Sequence, residues 1–239
     1  MRTANPALSA KTFAPSATAG TGAMTIQGTV NKTGVLLILT FGAAAFTWSR
    51  PPEALGGFMI LGGLGGLIAA LVTIFRKTAA PVSAPVYAVL EGLFLGGISA
   101  VYERQFPGIV MNAVGLTFGT LLVLLLAYRS GVIKATENFK LGVVAATGAI
   151  GVVYFFSIIL GFFGVSVPFI HSAGPIGIIV SLVIVVVAAL NLVLDFDFIE
   201  NGAQQGAPRF MEWYAAFGLM VTLVWLGRIP ILWPLFVND

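Results

Sequence analysis

The stretch SLVIVVVAALNLVLDFDFIENG, residues 181–202, decides the fold of this chain. It begins as an almost unbroken apolar run and then places Asp195, Asp197 and Glu200 within six positions. An apolar run of roughly 20 residues is long enough for a helix to cross the hydrocarbon of a bilayer. A carboxylate beside hydrocarbon is costly and persists where it has a function or a partner. The stretch therefore predicts a membrane-spanning helix that carries functional acids near one end.

The composition of the whole chain is that of a membrane protein. Of its 239 residues, 58% are hydrophobic and only 9% are charged, whereas a soluble domain carries about 25% charged residues. The net charge of +3 is dispersed along the chain, which excludes a nucleic-acid-binding surface. The chain has no cysteine, and this excludes disulfides, thiolate catalysis and cysteine-ligated zinc.

Seven apolar segments, separated by polar stretches, predict an all-α membrane protein with a seven-transmembrane-helix bundle. Residues 1–30 are rich in Ala, Ser, Thr, Gly and Pro, and we expect them to form a flexible N-terminal tail that precedes the bundle of residues 31–239. The spans are predicted at residues 33–49, 54–75, 83–102, 107–128, 141–163, 175–197 and 210–229.

The basic residues predict the orientation of the bundle. The tail and the second, fourth and sixth loops carry nine Lys and Arg residues, and the opposite side carries three. Positive charge is retained on the cytoplasmic side of membrane proteins, so the N-terminus is predicted to be cytoplasmic. The loop that follows the opening stretch lies on the same side.

Pairs of glycines four residues apart occur in three of the predicted spans. Such a pair leaves two bare patches on one helix face and allows two helix backbones to approach closely. We therefore expect a role in helix packing for Gly62, Gly66, Gly92, Gly96, Gly115 and Gly119.

Glu91 is the one carboxylate well inside an apolar run, PVYAVLEGLFLGGISAVY at residues 85–102. Counted from Ser83 at about 1.5 Å per residue, it lies roughly 12 Å from the cytoplasmic end of its span. One interpretation is a hydrogen-bonded acid that joins helices. The favoured interpretation is a polar pathway, because ionisable residues at membrane depth mark such pathways.

Asp195 differs from the acids that follow it. Asn191 lies four residues earlier on the same helix face, and we assign it with Glu91 to the polar pathway. Asp197 lies about 200° around the helix from Asp195, so the two side chains cannot both face inward. A carboxylate near a helix C-terminus meets an unfavourable dipole, which argues against Asp195 as a mere helix end. Asp197 and Glu200 fit acids in the headgroup region better.

The predicted topology brings the acids of the third, sixth and seventh spans toward the cytoplasmic half, where Arg76 closes the second span. Neighbouring carboxylates share protons near neutral pH, and hard oxygen ligands suit Ca²⁺. We therefore predict a pH gate in this region, and a metal site is a second interpretation of the same acids. The acids are Glu91, Asp195, Asp197, Glu200 and Glu212, and the metal site would comprise Asp195, Asp197 and Glu200.

Enzymatic chemistry has no support in the sequence. The one histidine, His171, stands in a predicted outer loop, and no G-x-S-x-G motif accompanies the neighbouring Ser172. Neither a P-loop nor a G-x-G-x-x-G motif that follows a strand is present. We expect a protein that is not an enzyme and that binds no cofactor tightly.

Two segments carry a family resemblance. Residues 189–226, ALNLVLDFDFIENGAQQGAPRFMEWYAAFGLMVTLVWL, and residues 87–103, YAVLEGLFLGGISAVYE, resemble the transmembrane Bax inhibitor motif family, especially its bacterial YccA-like branch. The resemblance implies a seven-helix bundle around a central helix, located in the bacterial cytoplasmic membrane. It also implies a pH-sensitive calcium leak, gated by one aspartate on each of the last two spans and an arginine from the second.

The residues of this chain match that gate in part. Asp195 matches the aspartate of the sixth span, and Arg76 is placed like the arginine. Where the seventh span of the family carries an aspartate, this chain has Ala, Phe and Gly at residues 216–218, and Glu212 is the only acid of that span. Either Glu212 substitutes from a shallower position, so that the resemblance implies a pH gate of Asp195, Glu212 and Arg76, or the proton sensor differs.

Three functions follow as expectations. The first is a cation leak channel, with Ca²⁺ as the expected ion, that responds to protonation of the cytoplasmic acids. The second is a proton-coupled carrier that uses Glu91 and Asp195. The third is a non-transporting protein that modulates a membrane protease. The expected partners are the lipid bilayer, calcium ions and protons, and a membrane protease under the third function.

Overall fold

The computed structural model describes residues 22–163 and 175–232, and their regular structure is helical apart from one isolated β-bridge. A 3₁₀ turn, Lys77–Ala79, joins the second helix to the third. His171 and residues 1–21 of the predicted tail lie outside the described residues. The helices are α1 Ile26–Trp48, α2 Pro52–Phe75, α3 Ala80–Gln105, α4 Ile109–Arg129, α5 Glu137–Phe162, α6 Pro175–Gln204 and α7 Met211–Leu232.

Length and apolar composition make the described chain a multi-pass membrane protein. Six helices are long and apolar enough to cross a bilayer, and the seventh candidate, Met211–Gly227, is shorter. The seven-helix bundle agrees with the expected all-α class, and the number of seven spans stays a prediction. Side chains such as Ile38, Leu64 and Val123 are exposed on the bundle surface, as expected where lipid replaces water.

The first helix begins before residue 30, the boundary predicted between tail and bundle. Helix α1 begins at Ile26, where the Thr25 hydroxyl accepts a hydrogen bond from the Gly28 N–H and caps the helix. Met24 and Thr29 are buried. The sequence signal was weak here because small and hydroxyl residues lower the local hydropathy of α1, although the same residues allow it to pack closely.

Helix α7 is the central helix of the bundle. It packs against α1, α3, α4 and α6, and its side chains from Tyr214 to Phe217 are almost fully buried. The Tyr87 ring of α3 meets the Phe217 ring edge-on, with ring centres 5.0 Å apart. This position explains how a short apolar helix remains inside the membrane domain, since protein rather than lipid surrounds it.

Helices α1, α2 and α3 pack through glycines. A Cβ atom placed on Gly62 of α2 would lie 2.5 Å from the Leu90 carbonyl oxygen of α3. A Cβ atom on Gly96 of α3 would overlap the backbone of Ala44 on α1, and one on Gly92 would overlap the Thr40 carbonyl oxygen. A Cβ atom on Gly66 would lie 3.5 Å from a Glu91 carboxylate oxygen. Gly62, Gly92 and Gly96 therefore have the close helix contacts expected of them, whereas a Cβ atom on Gly66 would be in ordinary van der Waals contact.

The same expectation is wrong for Gly115 and Gly119 of α4. A Cβ atom on either would meet no atom of the described residues within 4 Å. Helix α4 instead buries Ala113 and Thr117, which lie two residues earlier and therefore about 200° around the helix. Both faces of α4 carry small residues at four-residue spacing. The face with Ala113 and Thr117 is the one that packs against α6 and α7.

Candidate functional site

The acids named from the sequence lie on chain segments that meet at one end of the bundle. Helices α4 and α6 end there, and α5 and α7 begin there, because successive helices run in opposite directions. Three interhelical polar contacts involve these acids: Lys140 with Asp197, Tyr128 with Glu200, and Lys32 with Glu212. The positive-inside pattern predicts that this end is cytoplasmic.

Two buried carboxylic acids lie further from the ends of their helices. Asp195 of α6 is 1% exposed and Glu91 of α3 is 5% exposed. Asp195 lies nine residues before the end of α6, and Glu91 lies eleven residues after the start of α3, which places each roughly 14–17 Å from its helix end. The structure therefore encloses Glu91, which the sequence placed well inside an apolar run, and Asp195, which it placed near the cytoplasmic end of the sixth span.

Asn191 joins two helices through its side chain. Its amide nitrogen donates to the Thr147 hydroxyl of α5 at 2.8 Å and to the Val187 carbonyl oxygen, one turn earlier in α6, at 2.8 Å. Asn191 is buried, and it lies one helical turn from Asp195 on the face predicted for a polar pathway. The hydrogen bond to Thr147 joins α6 to α5.

Asp197 is held by a lysine from α5. The Lys140 ammonium lies 2.8 Å from an Asp197 carboxylate oxygen and 3.3 Å from a Glu137 carboxylate oxygen one turn away. Lys140 is buried although Glu137 is exposed. Asp197 therefore neutralises a buried cation at the junction of α5 and α6, which is a more specific contact than the headgroup position we expected.

Glu200 receives a hydrogen bond from α4. The Tyr128 hydroxyl donates to one of its carboxylate oxygens at 2.6 Å, and the Gln204 side-chain amide donates to the other at 3.3 Å. The Tyr128 ring also packs near Phe196 of α6, with ring centres 5.9 Å apart. Glu200 thereby ties the end of α4 to the end of α6.

Glu212 is buried in the first turn of α7, and its carboxylate contacts α1 and the residue that caps α1. The Thr25 N–H and the Thr25 hydroxyl both donate to one carboxylate oxygen at 2.9 Å. The Lys32 ammonium forms an ion pair with the other oxygen. The structure therefore places Glu212, predicted to belong to the pH gate, in a contact between α1 and α7.

Arg76 is exposed at the end of α2. Its guanidinium takes part in none of the ion pairs of the described chain, which involve Lys32 and Lys140. No pair of Arg76 with Asp195 is among them, and α2 ends one residue before Arg76.

The expected metal site is not assembled either. Within residues 22–163 and 175–232, no group of three or more His, Asp or Glu side chains is placed to hold a metal ion. Asp195 is enclosed, whereas Asp197 and Glu200 turn to Lys140 and Tyr128 on two different helices. The 200° separation of Asp195 and Asp197 along α6 is the physical reason.

A cavity of about 330 Å³ opens beside the Glu212 contact. Lys32, Arg209 and Trp213 line it together with the start of α1, and the Lys32 ammonium lies 5.6 Å from the centre of the Trp213 ring. Sequence reasoning missed Lys32, Thr25, Lys140 and Tyr128. It counted the lysines only as signals of orientation, although a lysine within a turn of an apolar segment could also have suggested an interhelical partner.

Comparison with known proteins assigns the chain to a family. No curated protein and no solved structure matches it significantly. A family model described as Bax inhibitor 1 like matches residues 5–227, which is most of the chain. The match covers the whole helical bundle up to α7, including the enclosed acids, and it confirms the resemblance at the level of the family. The chain therefore belongs to the Bax inhibitor 1 like family.

Proposed function

We propose that this protein is a pH-sensitive cation leak channel, with Ca²⁺ as its expected ion, in which Asp195 is the proton-sensing group. The observation that carries the proposal is the enclosure of two carboxylic acids, Asp195 and Glu91, inside a bundle whose outer surface is apolar. Ionisable groups at membrane depth are costly, and they mark ion and proton pathways. The proposal also holds that the protein is not an enzyme and that Ca²⁺ is transported rather than held tightly as a cofactor.

The chemistry of an enclosed carboxylate supports both parts of the proposal. When ionised, Asp195 attracts a cation and offers the hard oxygen ligands that Ca²⁺ prefers. When protonated, it loses that attraction and the local field of the bundle changes by one charge. In the described conformation the Glu212 carboxylate binds Lys32 and Thr25, and Arg76 is exposed. The proposal therefore assigns proton sensing to Asp195 alone.

The location and the branch within the family belong to the proposal as well. We propose a multi-pass protein of the bacterial cytoplasmic membrane, with a cytoplasmic N-terminus and a relation to the YccA-like branch. The motif around Asp195 supports this branch, and the distribution of Lys and Arg supports the orientation.

The test is calcium flux into proteoliposomes at several pH values. Asp195→Asn keeps the size of the side chain and removes its charge, so we expect it to flatten the pH response. Asp197→Asn on the same helix and Glu137→Gln on the exposed start of α5 are the controls, and both should keep the shape of the response. Equal effects of Asp195→Asn and Asp197→Asn would remove Asp195 from this role.

The same preparation separates the competing functions. Channel flux persists when the proton gradient is collapsed by an ionophore, whereas flux through a proton-coupled carrier stops. Absence of flux under all conditions, together with stable co-purification of a membrane protease, would favour the modulator.

A further inference from the structure

A short segment before α1 lies along the loop between α6 and α7. Ala23 and Pro208 form an antiparallel β-bridge, and the Met24 N–H donates to the Ala207 carbonyl oxygen at 2.6 Å. The Met24 side chain is 2% exposed. Gly206, at a positive φ of 64°, turns the chain out of α6 so that Ala207 can accept this hydrogen bond. We call residues 22–25 the strap.

The strap continues into the Glu212 contact. Thr25 is at once the N-cap of α1, through its hydroxyl and the Gly28 N–H at 2.9 Å, and a double donor to Glu212. Lys32, two turns further along α1, neutralises the same carboxylate. Every hydrogen bond and ion pair that the described residues make to the Glu212 carboxylate thus comes from the strap or from the first turns of α1.

Gly28 shows how closely the carboxylate approaches α1. A Cβ atom placed on Gly28 would overlap the carboxyl group of Glu212. The acid of α7 therefore rests directly on the backbone of α1, in a space that only a glycine leaves open. A contact of this kind has one well-defined bound geometry, because the glycine, the two Thr25 donors and the Lys32 ammonium each fix the position of the carboxylate.

We propose that the strap and the Lys32–Glu212 pair form a latch that holds α7 in a closed position, and that release of the latch increases cation leak. Because α7 is the central helix and packs against α1, α3, α4 and α6, a change in its position alters every neighbouring interface. The inference rests on the proposed function, and it adds a regulatory contact that does not involve Asp195.

The charged surroundings of Glu212 fit a latch. Lys32 comes from α1, and Arg209, from the loop between α6 and α7, lines the same cavity. From the 3₁₀ turn, the Lys77 ammonium lies 5.9 Å from the ring of Tyr214, two residues beyond Glu212. The Lys32 ammonium and the two Thr25 donors favour the ionised form of Glu212, and they therefore favour the closed latch. In this scheme the latch sets the size of the leak and Asp195 sets its pH dependence.

The first experiment measures how accessible the strap is to a thiol reagent, and it needs no measurement of flux. The chain has no cysteine, so Met24→Cys provides a single buried thiol on the strap. Adding Glu212→Gln or Lys32→Met should raise its labelling rate by a membrane-impermeant thiol reagent about tenfold, which corresponds to about 1.4 kcal/mol. Gln27→Ala is the matched control, because the Gln27 side chain donates a hydrogen bond to Asn31 on the exposed side of the same helix. This substitution should leave the labelling rate unchanged.

The second experiment connects the latch to transport. In proteoliposomes, Glu212→Gln and Lys32→Met should raise calcium flux at every pH without moving the midpoint of the pH response. Cysteines at Ala23 and Pro208, which face each other in the bridge, should form a disulfide that lowers flux until a reductant is added. Gln27→Ala should behave like the unchanged protein.

The outcomes separate the latch from the proposed channel. Faster labelling with unchanged flux would show a purely structural contact and overturn the regulatory proposal. Unchanged labelling in both Glu212→Gln and Lys32→Met would overturn the latch itself. If no variant conducts, including the unchanged protein, the channel proposal fails and the regulatory proposal fails with it, and the labelling rates then report only whether the strap is a structural contact.

Discussion

The ammonium of Lys140 lies 2.8 Å from a carboxylate oxygen of Asp197 and joins α5 to α6. Among the described helices α5 packs mainly against α6, so this ion pair and the hydrogen bond from Asn191 to Thr147 are the principal polar links of a peripheral helix. The pair also explains why two aspartates separated by a single residue serve different purposes. Asp197 compensates a buried cation, and Asp195 is enclosed in the bundle.

The Lys140–Asp197 pair should show energetic coupling in a double-mutant cycle. Lys140→Met and Asp197→Asn each remove one partner, and Asp197→Asn leaves a buried ammonium with only the exposed Glu137. We expect a coupling energy of about 0.5–3 kcal/mol, the range for residues in direct contact. Thermal unfolding in detergent measures it, and additive effects of the two substitutions would contradict the pair.

Tyr128→Phe should destabilise the junction of α4 and α6. The substitution removes the hydroxyl that donates to Glu200 at 2.6 Å and keeps the ring that packs near Phe196. A hydrogen bond to a charged group contributes about 1.5–3 kcal/mol, and partial exposure reduces this value at the bundle end. Tyr154→Phe on α5, whose ring is exposed, is the control, and an equal loss of thermal stability in both variants would contradict the assignment.

Gly96→Ala should be far more damaging than Gly119→Ala. At Gly96 the added methyl would overlap the Ala44 backbone, which cannot move without shifting α1, whereas at Gly119 it meets no atom within 4 Å in the part of the chain that the structure describes. Overpacking of this kind costs about 1–3 kcal/mol. The yield of folded protein and the unfolding temperature in detergent measure the difference, and similar behaviour of the two variants would mean that α1 and α3 pack less closely than described.

Glu91→Gln should lower calcium flux or alter its pH response if Glu91 faces the polar route. The substitution keeps size and hydrogen-bonding capacity and removes the charge. If Glu91 only joins helices, Glu91→Gln should leave flux unchanged and Glu91→Leu should act mainly on stability. The comparison of the two variants in proteoliposomes therefore decides between the two interpretations of this acid.

The orientation of the bundle can be tested with single cysteines. Gln205 is exposed in the loop between α6 and α7, so Gln205→Cys should react with an impermeant reagent only from the cytoplasmic side. Phe106→Cys, between α3 and α4, should react from the opposite side. Labelling of Gln205→Cys exclusively from outside would refute the orientation drawn from the Lys and Arg distribution.

The sequence by itself determined the class of the protein, the approximate position of each helix and the two enclosed acids. Hydropathy over about 20 residues is a property of a continuous segment, and each segment satisfies its own backbone hydrogen bonds as a helix in lipid. The isolation of Glu91 in an apolar run and the placement of Asp195 before the end of α6 are likewise local. The signal for α1 before residue 30 was weak because small polar residues, rather than apolar ones, fill the start of this helix.

Only the tertiary structure decided which partners the acids have. Lys32 and Glu212 are 180 residues apart, and local sequence contains no signal that joins them. The same holds for the glycines of α4, where two small-residue faces were available and contact with α6 and α7 used the face of Ala113 and Thr117. Partner choice in a helical bundle depends on how helices rotate and pack against one another, and that rotation follows from contacts between segments distant in the chain.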